Sequence, residues 1–129
     1  APLDDDAVRK AVQKETESKD PEVRVAALSK LARDPKDGKA SMDALGSIAA
    51  SNTPAASRAR AAMARLGDAR VTTLLLRDAQ SKEPTPRKDA VRGLVDLGDI
   101  ARAALFLADD DAGVRMLTVC EILNASDRW

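Results

Sequence analysis

Asp20-Pro21-Glu22-Val23-Arg24-Val25-Ala26-Ala27-Leu28-Ser29-Lys30-Leu31 reads as one capped amphipathic helix. Asp20 offers a carboxylate to the free N–H groups of a first turn, and Pro21 takes the first helical position, where its missing N–H costs nothing. Val23, Ala27, Leu28 and Leu31 are expected to face inward. The chain then repeats itself. Glu83-Pro84-Thr85-Pro86-Arg87-Lys88-Asp89-Ala90-Val91 carries the same acid, proline, arginine and small-then-apolar pair. Asp111-Ala112-Gly113-Val114-Arg115-Met116-Leu117 is a third version, and Asp5-Asp6-Ala7-Val8-Arg9 a shorter fourth. In each, an acid stands four residues before an arginine. That spacing sets the two groups side by side on a helix, a pairing worth about 0.3–0.5 kcal/mol when exposed. An arginine there also reaches the carbonyls or acids of a neighbouring turn, which would tie one unit to the next.

The remaining segments are helical in the same style. The first runs from Leu3 to about Ser18, with Ala7, Val8, Ala11 and Val12 on one stripe and Asp4, Asp5 and Asp6 in its first turn. Acids there cap free N–H groups; a calcium loop would need further oxygen ligands at set spacing, and the sequence has none there. Asp34-Pro35 stops the second helix. A third spans Asp37 to Ala50 on Met42, Leu45, Ile48 and Ala49, and a fourth, rich in alanine, spans Pro54 to Leu66. Gly67-Asp68 separates it from a fifth, with Val71, Leu74, Leu75 and Ala79 opposite Arg70, Thr73, Arg77 and Gln80. The sixth carries Ala90, Val91, Leu94 and Leu97, and Pro86 suggests that it starts a turn late. The seventh, Ile100 to Ala108, is apolar apart from Arg102. Asp109-Asp110-Asp111 caps the eighth, which runs to about Asn124.

Eight helices joined by short turns imply antiparallel hairpins stacked in order. Arg24 and Arg87 are 63 residues apart, Gly67 and Gly98 are 31, and Arg87 and Arg115 are 28. A period within about 20–50 residues marks a solenoid, each unit burying its apolar face against its neighbours. Arg9 and Arg24 are only 15 apart, so the first helix reads as a terminal half-repeat capping the stack.

At 129 residues the chain suits one domain with one continuous core. Aromatics are 2 %, so that core must be built from Ala, Leu, Val, Ile and Met, an all-helical composition. The single cysteine, Cys120, excludes an intrachain disulfide and is expected in the core, since it lies in the apolar run Met116 to Leu123. No window suits a membrane span or a signal h-region. The opening Ala1-Pro2, without Met, fits either a processed chain or an excised segment, so compartment stays open between cytoplasm and export.

The run Asp20 to Leu31 resembles the first helix of HEAT repeats, most closely the short bacterial and archaeal type named after phycobilisome lyase. Leu-Gly-Asp at 66–68 and 97–99 is similar to that family's hairpin turn. The resemblance covers nearly the whole chain and implies an all-α, right-handed α-solenoid of three to four repeats. The unit from Thr53 to Leu66 departs from it: the acid is missing, Arg58 and Arg60 are out of register with Arg24, and packing alone is expected to hold that unit.

The absence of histidine removes a His general base, Ser-His and Cys-His pairs and the His-Glu metal dyad of HEAT-type iron hydroxylases. No phosphate-binding glycine loop occurs. The chain is therefore expected to be non-enzymatic, with no cofactor and no metal. With 21 basic and 21 acidic residues it lacks the basic footprint of a nucleic-acid binder; Arg70, Arg77 and Arg102 form only a sparse stripe, diluted by Asp43 and Asp78. A nucleic-acid-binding module and an accessory subunit of a lyase are the weaker alternatives. The expectation is a monomeric module that binds a protein partner on the second helix of each pair, the side that is concave in this family. Asp43, Ser47, Arg70, Thr73, Arg77 and Arg102 lie opposite their helices' apolar stripes and are the expected contacts. Phe106 matches Leu75 in repeat register and lies four residues after Arg102, so core and groove both remain open for it. Trp129 is either a frayed end or a residue docked on the last helix.

Overall fold

The computed structural model describes residues 5–126 and is all-helical, with no strand among them. Asp4 and Trp129 lie outside the described residues. Two compact units divide the chain, Ala1–Leu66 and Gly67–Trp129.

The first unit holds α1 (Asp5–Glu15), α2 (Pro21–Leu31), α3 (Gly38–Ala49) and α4 (Ala56–Arg65). The Asp20 carboxylate accepts hydrogen bonds from the backbone N–H groups of Glu22 (2.9 Å) and Val23 (3.4 Å), and Pro21 begins α2. Ala27, Leu28 and Leu31 are buried as expected, but Val23 is exposed and Val25 is buried in its place. Two valines two residues apart point to different sides of a helix, and Val25 is the one that shares its side with Leu28. Leu45 and Met63 are the largest fully buried side chains here, set among the alanines of α4. No side chain of the first helix is fully buried; Val12 is half-buried and Val8 exposed. Polar links help fasten it: Arg9 Nη2 donates to Asp37 Oδ2 at 2.6 Å, Arg9 Nε lies 3.2 Å from Asp34 Oδ2, and the Gln13 amide donates to Asp37 at 2.9 Å.

The second unit opens with a 3₁₀ turn, Ala69–Val71, and α5 (Thr72–Asp78). It continues with α6 (Pro84–Asp96), α7 (Ile100–Ala104), a 3₁₀ segment Leu105–Ala108 and α8 (Ala112–Ser126). Its core joins Val91, Leu94 and Val95 of α6 to Ala103 and Ala125, with Leu76, Ile100, Phe106 and Leu117 packed against them. Pro84 starts α6, so the helix is not late: Pro86 is third, and its N–H would belong to the four that a first turn leaves unbonded. At the other end Gly98 takes φ +82°; its N–H bonds Val95 O at 2.9 Å and the next N–H, of Asp99, bonds Leu94 O at 2.8 Å. That pair of bonds closes a Schellman turn, which requires the left-handed conformation that glycine adopts without strain. Gly67 also takes a left-handed φ, +75°. Asp68, Asp99 and Asp111 each cap the next helical segment by accepting from the N–H groups of Arg70, Arg102 and Val114.

Cys120 is exposed, contrary to the core expectation. The inward side of α8 is Val114, Thr118 and Ala125, which leaves Met116, Val119, Cys120 and Leu123 outward. Thr118 tolerates full burial because its hydroxyl donates to Val114 O at 2.7 Å.

Candidate functional site

The expected contact residues lie in two places. Asp43 and Ser47 are exposed, one turn apart on α3; Asp43 pairs with Lys39 at 3.8 Å, and Ser47 Oγ donates to Asp43 O at 3.3 Å. The other five belong to the second unit. Arg70 folds back on its own cap, donating from Nε (3.0 Å) and Nη2 (2.8 Å) to Asp68 Oδ2 and holding that carboxyl below its usual range. Thr73 and Arg77 are exposed on α5. Arg102 and Phe106 are the pair that the fold brings together.

They line a cavity of about 410 Å³ enclosed by α5, α6 and the α7–3₁₀ segment. Its floor is Leu94, fully buried on α6; Leu76 and Ala79 form one wall and Leu105, Phe106 and Ala108 the other. Phe106 packs on the core cluster and also walls the cavity. The polar lining is Gln80, Arg102 and Asp109. Leu105 is 73 % exposed and Leu107, just outside, 46 %. A volume of this order, apolar with a few polar groups, is in the range of ligand and side-chain pockets.

Electrostatically the lining is uneven. Arg87, 15 % exposed, donates to both oxygens of Asp109, Nε to Oδ2 and Nη2 to Oδ1, each at 3.0 Å. This bidentate bond holds the Asp109 carboxyl below its usual range and pushes the Arg87 guanidinium above its own. Asp109 Oδ1 also accepts from the Asp111 N–H at 2.9 Å. The remaining Arg87 nitrogen, Nη1, donates to Ser81 O (3.0 Å) and Lys82 O (3.1 Å). Arg102, half-exposed, touches Asp99 through Nε at 3.4 Å.

Sequence reasoning missed Leu76, Gln80 and Leu105 as lining. A signal existed for Leu105: a short helix apolar all round must send some apolar side chain outward. The Arg87–Asp109 bond joins residues 22 apart, and no local pattern announces it. Among the described residues no group of three or more Cys, Asp or Glu side chains is placed to hold a metal ion, and no helix is long and apolar enough to cross a membrane. Comparison with protein-family models, curated proteins and solved structures finds no match to the chain.

Proposed function

We propose that the chain is a non-enzymatic protein–protein interaction module of HEAT-like helical pairs, stacked as a right-handed α-solenoid, that binds its partner on the second helix of each pair. One observation carries the binding reading: the cavity lined by Arg102 and Phe106 is floored by a core leucine, Leu94, and bordered by Leu105, which is left exposed. Interfaces draw most of their energy from apolar anchors seated in such pockets, ringed by polar groups that exclude water. Arg77, Thr73 and Arg70 in the same unit, and Asp43 and Ser47 on α3, would supply further polar contacts to the partner.

Two substitutions test this. Leu105→Ser removes the rim and Ala79→Phe fills the cavity, and partners captured by the wild-type chain are expected to be lost from both. Leu105 is an exposed residue, so its replacement should change stability by no more than about 0.5 kcal/mol. A partner retained equally by the wild type and both variants overturns the assignment.

A further inference from the structure

We infer that this cavity takes an acidic-apolar segment of a protein partner, its aliphatic or aromatic side chains filling the pocket while a neighbouring Asp or Glu meets Arg102. The inference rests on the interaction-module reading and adds the chemistry of what is bound. Its basis is how the two charged lining residues are used. Both oxygens of Asp109 accept from Arg87, and Oδ1 accepts from the Asp111 N–H as well, so three of the carboxylate's roughly four acceptor sites are filled and its charge is already matched by a guanidinium. Arg102 is the reverse case: among the described residues its ion pair with Asp99 is a 3.4 Å contact through Nε, and with the side chain 50 % exposed it is accessible to an incoming carboxylate. Arg102 and Asp109 stand seven residues apart along the wall, about 12 Å at mixed α-helical and 3₁₀ rise, so a carboxylate that meets Arg102 stands clear of the Asp109 carboxyl.

A polypeptide fits better than a small carboxylic acid. A small ligand is normally buried over most of its surface, and this mouth stays open beside Leu105 and Leu107. A longer segment covers both leucines while anchored in the pocket. Gln80 on the facing rim supplies an amide that both donates to and accepts from a peptide backbone.

The test selects a phage-displayed random peptide library on the immobilised full chain, with Ala79→Phe as the counter-selection. Peptides pairing apolar residues with a nearby Asp or Glu are expected to be enriched. A synthetic copy of the dominant peptide should bind Arg102→Gln about threefold or more weakly, and amidating its acid should cost the wild type a similar factor, with no further loss when the two changes are combined. Enrichment without acidic residues, or unchanged affinity after amidation, overturns the acidic chemistry and leaves the interaction-module reading in place. If no peptide prefers the wild-type chain to Ala79→Phe, both fall.

Discussion

Two helical glycines show how much one methyl group matters. A Cβ added at Gly93 would stand 2.7 Å and 2.8 Å from the two terminal carbons of Leu75, itself 1 % exposed and unable to swing aside. One at Gly46 would meet only Met63 Cε, at an ordinary 3.9 Å. Replacing a helical glycine by alanine gains up to about 1 kcal/mol in propensity, whereas overpacking a core costs about 1–3 kcal/mol. Gly46→Ala should therefore raise the midpoint of chemical unfolding, and Gly93→Ala should lower it. The caps at Asp20, Asp68, Asp99 and Asp111 were legible in the sequence, because a cap is satisfied within three residues. The arginine partners were not. Arg9 pairs with Asp34 and hydrogen-bonds Asp37 rather than Asp5, and Arg87 bonds Asp109 rather than Glu83. Arg115 Nη1 takes the carbonyls of Asp109 and Asp110. Arg60, out of register in sequence, still reaches Ala49 O at 2.9 Å, so α4 is not held by packing alone. Spacing along one helix gives proximity; which acid or carbonyl wins is decided by the neighbouring turn.

At the scale of the element, α8 shows where periodicity stops deciding. Met116 to Leu123 is apolar almost all round, so a hydrophobic stripe can be drawn on either side. The structure puts Thr118 inside and Cys120 outside, against the usual ranking, since a threonine bonded to its own helix carries no unsatisfied hydroxyl into the core. Met116→Gln and Cys120→Ser should each move stability by about 0.5 kcal/mol or less, and Val114→Ala should cost about 1–3 kcal/mol. The reverse order in thermal denaturation would mean that the helix faces the other way. The elements themselves were read closely: all eight helices appear, with α5 preceded and α7 followed by a 3₁₀ turn. Their shortness as α-helices is not written in propensity, as alanine and leucine suit both forms.

The molecule as a whole is electrically neutral, yet its polar links make its stability pH-dependent. Among the described residues three carboxyls lie below their usual 3.8: Asp37, through the Gln13 amide and then Arg9; Asp68, through Arg70; and Asp109, through Arg87. The unfolded chain binds protons on these groups at higher pH than the folded one, so their contribution is complete above pH 3.8 and is lost as pH falls through the depressed values. Asp109→Asn should flatten part of that acid decline in thermal melts taken across the window, and an unchanged slope would show that the pair with Arg87 contributes nothing to it. Of the site, the sequence pointed to Arg102 and left Phe106 open, but the cavity between them depends on tertiary packing of three helices that no single stretch encodes. The arginine contacts have one more effect, on how the chain tolerates added length. Arg87 holds the carbonyls of Ser81 and Lys82 just ahead of its own helix. A guanidinium on a side chain of fixed length thus works as a gauge of the turn before it. A glycine inserted between Ser81 and Lys82 carries one carbonyl out of reach and should lower the melting temperature, and one inserted after Asn52, inside the turn that Arg60 spans to Ala49 O, should do the same.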